Sequence, residues 1–217
     1  LLNDTPFFWR FANQLRQKLK RSQVSKGFSA ISGLFVNSYY TAQRVRQEYP
    51  KICCQIDVSH PGISSHFFDE KAAWHKIDNR WRFITVARLT RDAPKKNVDG
   101  ILMALAKLKG IIDFEYIVIG DGDRKPALSE LANELGLSDQ VSFLGGLPND
   151  TLKKWLDTSD LFVLPSKGSQ YDVESFGIVY AEAAARGLPC LASEEGGATD
   201  AIRPGVSGVV VGIFDSQ

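Results

Sequence analysis

An α/β fold with a parallel sheet covered by helices on both faces is what the sequence predicts, and three observations predict it. From residue 81 onward, short unbroken runs of Val, Ile, Leu and Phe alternate with segments whose leucines recur at helical spacing. Continuous apolar strands mark parallel sheets buried on both sides. The 217 residues are 44% hydrophobic and 24% charged, enough for a sizeable core and unlike a disordered or collagen-like chain. No apolar run approaches the ~20 residues that cross a bilayer.

Other properties exclude whole classes. With 26 Lys+Arg against 25 Asp+Glu, the electrostatic case for a dedicated nucleic-acid binder is gone. Cys53 and Cys54 are adjacent and Cys190 is distant, so the three cysteines form no disulfide framework and a reducing cytoplasm is the simplest compartment.

In chain order, residues 1–30 carry six bases (Arg10, Arg16, Lys18, Lys20, Arg21, Lys26) and one acid, Asp4. Phe7, Phe8, Phe11, Leu15 and Leu19 recur there at helical spacing. A basic amphipathic helix suits peripheral contact with an anionic membrane face or docking on a partner domain, and both readings stay open. The chain opens Leu1-Leu2-Asn3 with Met103 its one methionine and without a Lys/Arg-flanked apolar leader, so it reads as a piece of something longer. Leu34–Val36 is a strand running into a helix cap at Asn37-Ser38, Thr41–Glu48 a helix and Ile52–Val58 a strand. His60-Pro61-Gly62 breaks the chain, and the polar stretch Asp69–Arg80 is the predicted boundary between a segment 1–68 and a domain 69–217.

Within that domain, Arg82–Ala87 is a strand, and Asn97 caps a helix with Ile101, Leu102, Leu105 and Leu108 on one face. Phe114–Ile119 is a strand, followed by a helix carrying Leu128, Leu131 and Leu135. Val141–Leu144, a helix with Leu152, Trp155 and Leu156, and Leu161–Leu164 repeat the unit. A helix after Ser175, strand Pro189–Ala192, a short helix near Thr199–Ile202 and strand Gly208–Val211 complete it. The result is Rossmann-like, with a ligand expected beyond the carboxyl ends of the strands.

Three loops could carry chemistry. Gly120-Asp121-Gly122-Asp123-Arg124-Lys125 fails as a dinucleotide fingerprint because Lys125 replaces the third glycine. Its two aspartates resemble a metal site, but Asp/Gly runs also make plain strand–helix turns. Glu174-Ser175-Phe176-Gly177 follows a strand and opens a helix, where the Phe176 and Gly177 amides and the helix dipole suit an anion. Glu182 lies among Ala181, Ala183, Ala184 and Ala185, where close packing obliges a carboxylate to find a partner. Roughly 12 Å of helix separates the two acids, so they would hold two ends of a bent molecule whose phosphates lie at the helix start. Arg88 and Lys96, in the loop after the first strand of the domain, reach the same sheet edge and would neutralise a diphosphate leaving group.

Together these residues resemble the retaining GT-B-fold glycosyltransferases of family four, the glycosyl transferases group 1, mainly their C-terminal donor-binding domain. Phe35-Val36-Asn37-Ser38 with Thr41-Ala42, and His60-Pro61-Gly62-Ile63 with Phe67, resemble the end of that family's N-terminal domain and its link. Val86-Ala87-Arg88-Leu89, Lys96-Asn97-Val98-Asp99, Val118–Gly122, Val141–Gly145, Leu161–Ser166, the Glu174–Glu182 element, Gly187-Leu188-Pro189 and Gly196-Gly197 then follow in family order. The resemblance implies that Arg88 and Lys96 grip the donor diphosphate, that Glu174 faces the transferred sugar, and that the Phe176 and Gly177 amides touch sugar or phosphate. It makes Glu182 the ribose-binding carboxylate, with Ile178 and the backbone near Leu147 flanking the base. It implies retaining transfer from a nucleotide sugar to a carbohydrate or lipid-linked acceptor, with no metal and no cofactor. The missing first domain supplies the acceptor side, so the fragment alone is expected to bind donor weakly and transfer little. Ala87 replaces the family's glycine, Lys95 competes with Lys96 because the loop is long, and Gly196–Asp200 lacks the usual proline–glutamate ending. Two other functions share the architecture: a nucleotide-sugar epimerase and a non-catalytic nucleotide-sugar-binding module.

Overall fold

The computed structural model describes residues 23–28, 30–69, 79–91, 96–168 and 173–212. The basic apolar stretch from Phe7 to Leu19, residues 70–78 of the polar stretch and Lys95 lie outside the described residues. Two compact units divide at His60/Pro61.

In the first unit, strand β1 (Gly33–Val36), helix α1 (Tyr39–Glu48) and strand β2 (Gln55–Val58) form a βαβ unit, with the strands parallel from Gly33↔Gln55 to Val36↔Val58. Ser38 starts α1 as the sequence predicts, its Oγ accepting from the Thr41 N–H at 3.0 Å. β2 begins later than the predicted Ile52, because the Ile52 N–H is still held in a turn by the Tyr49 carbonyl at 2.9 Å.

The second unit includes residues 61–68, the linker end of the predicted segment 1–68. Ser65–Phe68 is a 3-10 turn. Phe67 is 1% exposed within the larger core, and the Arg186 guanidinium donates to the carbonyls of Phe67 at 3.1 Å and Asp69 at 3.0 Å. Chemical contacts, not the polar composition that follows, place this segment.

Six parallel strands make the sheet: β3 (Trp81–Val86), β4 (Phe114–Ile119), β5 (Val141–Gly145), β6 (Leu161–Leu164), β7 (Cys190–Ser193) and β8 (Gly208–Val211), in spatial order β5-β4-β3-β6-β7-β8. β7 starts one residue after the predicted Pro189, which has no N–H to give the ladder. Helices α2 (Val98–Leu108), α3 (Lys125–Glu134), α4 (Asn149–Asp157), α5 (Ile178–Ala185) and the short α6 (Ala198–Ala201) connect the strands. α2 buries Val98, Ile101, Leu102 and Leu105; α4 buries Leu152 and Leu156. The chain winds from β3 outward to β5, then returns to β6 on the other side of β3. That reversal opens a crevice at the carboxyl ends of β3 and β6, where α/β sheets of this order bind ligands.

Polar groups stitch the layers beneath the crevice. Thr85 Oγ1 donates to the Val163 carbonyl and accepts from Tyr116 Oη at 2.7 Å, and the Tyr180 hydroxyl donates to the Leu164 carbonyl. Burial pushes both phenols far above their ordinary range, so they stay neutral donors. β3, β4, β6 and α5 are thereby fixed beside the strand ends that carry the site.

Candidate functional site

Arg88 stands just past β3 on a backbone held by its neighbour loop. The Ala87 N–H donates to the Ile119 carbonyl, the Leu89 N–H to Asp121 O at 2.9 Å, and the Arg124 N–H returns to Leu89 O at 2.8 Å. This close approach is why Gly120 and Gly122 are glycines: a Cβ at Gly120 would sit 1.9 Å from Ala87 O, and one at Gly122 2.2 Å from Leu89. The Arg88 side chain is exposed.

Lys96 reaches Glu174 across the crevice. Its Nζ donates to Glu174 Oε2 at 2.5 Å, and the two side chains are 14% and 12% exposed. At that burial the pair is little screened by salt, and truncating either side chain would leave the other without its partner. Glu174 is also held by its backbone, since its carbonyl accepts from the Gly197 N–H at 2.6 Å. A Cβ on Gly196 would lie 2.4 Å from that carbonyl. The Gly196-Gly197 loop, despite its altered ending, therefore seats Glu174.

Asp121 and Asp123 each take their own partners within the fold. Asp121 Oδ2 accepts from the Gly146 N–H at 2.8 Å and Oδ1 from Lys125 Nζ at 3.2 Å. The Gly146 amide first, and Lys125 second, hold its carboxyl below the usual range. Asp123 accepts from the Arg91 N–H at 2.9 Å and pairs with its guanidinium at 3.4 Å. Asp121 thus ties the β4 loop to the β5 loop that carries Leu147. Sequence reasoning left it as an unassigned turn residue.

Arg88, Lys96, Leu147 and Glu174 line one cleft of about 530 Å³, with Asp121, Gly146, Ser175 and Val179 among the other described walls. The remaining expected residues stand differently. Phe176 is buried at 6% exposure. Helix α5 begins only at Ile178, with Gly177 in a left-handed conformation (φ 80°) as its cap. The Phe176 and Gly177 amides therefore precede the helix, and only part of the separation between the two acids is helical. A Cβ on Gly177 would meet the Tyr180 ring at 2.5 Å, so the glycine serves packing as well as approach. Ile178 is 40% exposed. Glu182 lies one turn further along α5, half-buried, where desolvation pushes its carboxyl above the usual range. It is outside the described lining of the cleft.

Cys53, Cys54 and Cys190 are free, and burial pushes the Cys190 thiol up to about 12, which makes it inert. No helix among the described residues is long and apolar enough to cross a membrane.

Comparison with known proteins bears on the family and the fold. The model of the family "Glycosyl transferases group 1" matches residues 67–217. A GDP-mannose-dependent alpha-(1-6)-phosphatidylinositol monomannoside mannosyltransferase of Mycobacterium tuberculosis is 30% identical over 210 residues, 94% of this chain and 53% of that protein. A D-inositol 3-phosphate glycosyltransferase of Mycobacterium marinum is 35% identical over 190 residues, 84% of this chain and 39% of that protein. The chain thus spans about half, or less, of the length of these relatives. Among solved structures, a glycosyltransferase from Rickettsia africae superposes with a TM-score of 0.73 at 23% identity, covering 89% of this chain and 53% of its own. Anabaena HepE in complex with UDP and glucose gives 0.65 at 22% identity, covering 86% and 51%. The fold is that of the GT-B glycosyltransferases, and the chain belongs to the glycosyl transferases group 1 family.

Proposed function

We propose that this chain is the donor-binding part of a retaining glycosyltransferase, which moves a sugar from a nucleoside diphosphate to an acceptor hydroxyl. The observation that carries the reading is the meeting of Arg88, Lys96 and Glu174 in one cleft at the topological switch point. Two cations there offset the negative charge that develops on the departing diphosphate, a task that otherwise falls to a divalent metal, so the reading calls for no metal. The C1–oxygen bond breaks toward Arg88 and Lys96. The acceptor hydroxyl then attacks C1 from the face the diphosphate leaves, and its proton passes to the departing phosphate oxygen. Glu174, beside Lys96 at the sugar end, orients the transferred sugar; Phe176 and Gly177 offer amides next to it. Leu147 and Ile178 flank the base, and Glu182 accepts from the ribose hydroxyls. The acceptor, a carbohydrate or a lipid-linked sugar, is met by a further domain of the whole protein, and the free thiols fit a cytoplasmic setting at or near the membrane face.

A thermal-shift panel of UDP, GDP and ADP with their sugars tests the reading. A ligand at 100 times its dissociation constant is expected to stabilise the protein by about 2.7 kcal/mol. No shift with any of them would leave a non-catalytic module as the better account. Inversion of a sugar centre in the donor without acceptor, followed by NMR, would indicate an epimerase.

Glu182 carries a pH-dependent prediction. Its folded pKa is raised by burial, so protonation favours the fold. That contribution is complete below the unfolded pKa and is lost as pH rises through the folded one. Glu182→Gln is therefore expected to melt above the wild type at neutral pH, with the difference closing toward about pH 4. The same variant is expected to bind nucleoside diphosphates about tenfold more weakly, through the lost charged acceptor. Unchanged affinity would remove Glu182 from the ribose.

A further inference from the structure

Asn97 is the one non-glycine residue with positive φ among the described residues, at 53°. The sequence predicts it as the side-chain cap of α2. It does occupy the cap position, and its carbonyl accepts from the Ile101 N–H at 3.1 Å, yet its side chain makes no cap hydrogen bond. Instead, Asn97 Nδ2 donates to the Pro165 carbonyl at 3.0 Å. Pro165 directly follows β6, on the far side of the switch point, in the stretch that leads toward Glu174. The left-handed turn thus lays the side chain over the first turn of α2, with its amide reaching the Pro165 carbonyl and not a backbone N–H of its own helix. α2 is cut away to receive it: a Cβ on Gly100 would sit 2.4 Å from Asn97 Oδ1 and 2.9 Å from its Cγ.

Lys96 is the residue next to this fastening. A lysine on a free loop would sample many rotamers, and holding it against Glu174 would cost their entropy at each binding event. We infer that Asn97 is a positioning residue for Lys96: its left-handed backbone and its carboxamide bond to Pro165 anchor the end of the β3–α2 loop to β6, which holds Lys96 Nζ against Glu174 and presents it to a diphosphate. Gly100 supplies the space that the anchor requires. The inference deepens the reading of Lys96 given above, but the placement of Lys96 stands without any donor.

The test separates the two claims. Full chain is pulse-acetylated with acetic anhydride, and labelling of Lys96 is compared with that of exposed Lys154 by peptide mass spectrometry, for wild type, Asn97→Ala, Asn97→Gly and Gly100→Ala. Releasing an anchor worth one hydrogen bond is expected to raise relative Lys96 labelling about fivefold in all three variants. Asn97→Gly keeps access to the left-handed backbone and lacks only the carboxamide, so wild-type labelling there, with the protein folded, would overturn the proposal. Gly100→Ala introduces the stronger helix former. A merely structural glycine would leave Lys96 protected, and that result would also count against the proposal. UDP, GDP and ADP affinities are read on the same samples. Faster labelling with weaker binding supports both claims. Faster labelling with unchanged binding keeps the anchor and refutes the diphosphate role of Lys96.

Discussion

Arg186→Ala is expected to lower the melting temperature by roughly 6–20 °C, the shift that ~3–5 kcal/mol gives in a protein of this size. Arg186 is 1% exposed and grips Asp157 through two hydrogen bonds, Nε to Oδ1 at 2.7 Å and Nη2 to Oδ2 at 2.9 Å. Its remaining nitrogen holds the carbonyls of Phe67 and Asp69. Removing it strands a carboxylate that is 13% exposed and frees the segment that enters the sheet domain. Lysine cannot replace the fork, because an ammonium offers no planar pair of donors. The cluster sits at the amino ends of β6 and β7, on the opposite edge from the cleft, so nucleotide binding by the folded fraction should survive. Calorimetry of Arg186→Ala and of the double variant Arg186→Met/Asp157→Leu checks this. The double variant should regain most of the loss, since an apolar pair leaves no orphaned charge. Melting of the single variant within about 2 °C of wild type would show that the clamp is not holding the segment.

Lys96→Ala is expected to weaken nucleoside diphosphate binding by about 10- to 100-fold, the range for a lost hydrogen bond to a charged group. Glu174, 12% exposed, would then stand without its cation beside the incoming phosphates, and its repulsion adds to the loss. Glu174→Gln removes that repulsion. It should bind the free diphosphate at least as well as wild type while losing transfer, because its work is at the sugar. Calorimetric titration with UDP, GDP and ADP measures both variants. Wild-type affinity for all three in Lys96→Ala would dissolve the proposed role of the pair.

Particular residues show how far sequence carried. Phe114–Ile119 and Leu161–Leu164 could be read to the residue, because a parallel strand buried on both faces leaves no polar alternation to blur its ends. Ile52 and Pro189 fell outside their strands for local reasons, a turn acceptor for one N–H and a missing N–H in the other. The contacts of the linker residues 61–68 were not legible, because the clamp on Phe67 comes from Arg186, more than a hundred positions away, and nothing near residue 67 announces it. Asn97 misled in another way: its type suits a helix cap, and only the Pro165 carbonyl, offered by a distant strand, draws its side chain elsewhere.

The order of strands and helices, the apolar faces and the chemistry available at the strand ends were all written in local pattern, since periodicity and turn chemistry act over a few residues. Which of those groups share a cleft was decided by the winding of the sheet. The reversal between β3 and β6 brings Lys96 onto Glu174 and Asn97 onto Pro165, and it leaves Glu182 on the flank of α5. Partners so far apart in the chain meet through backbone pairing that no single segment encodes.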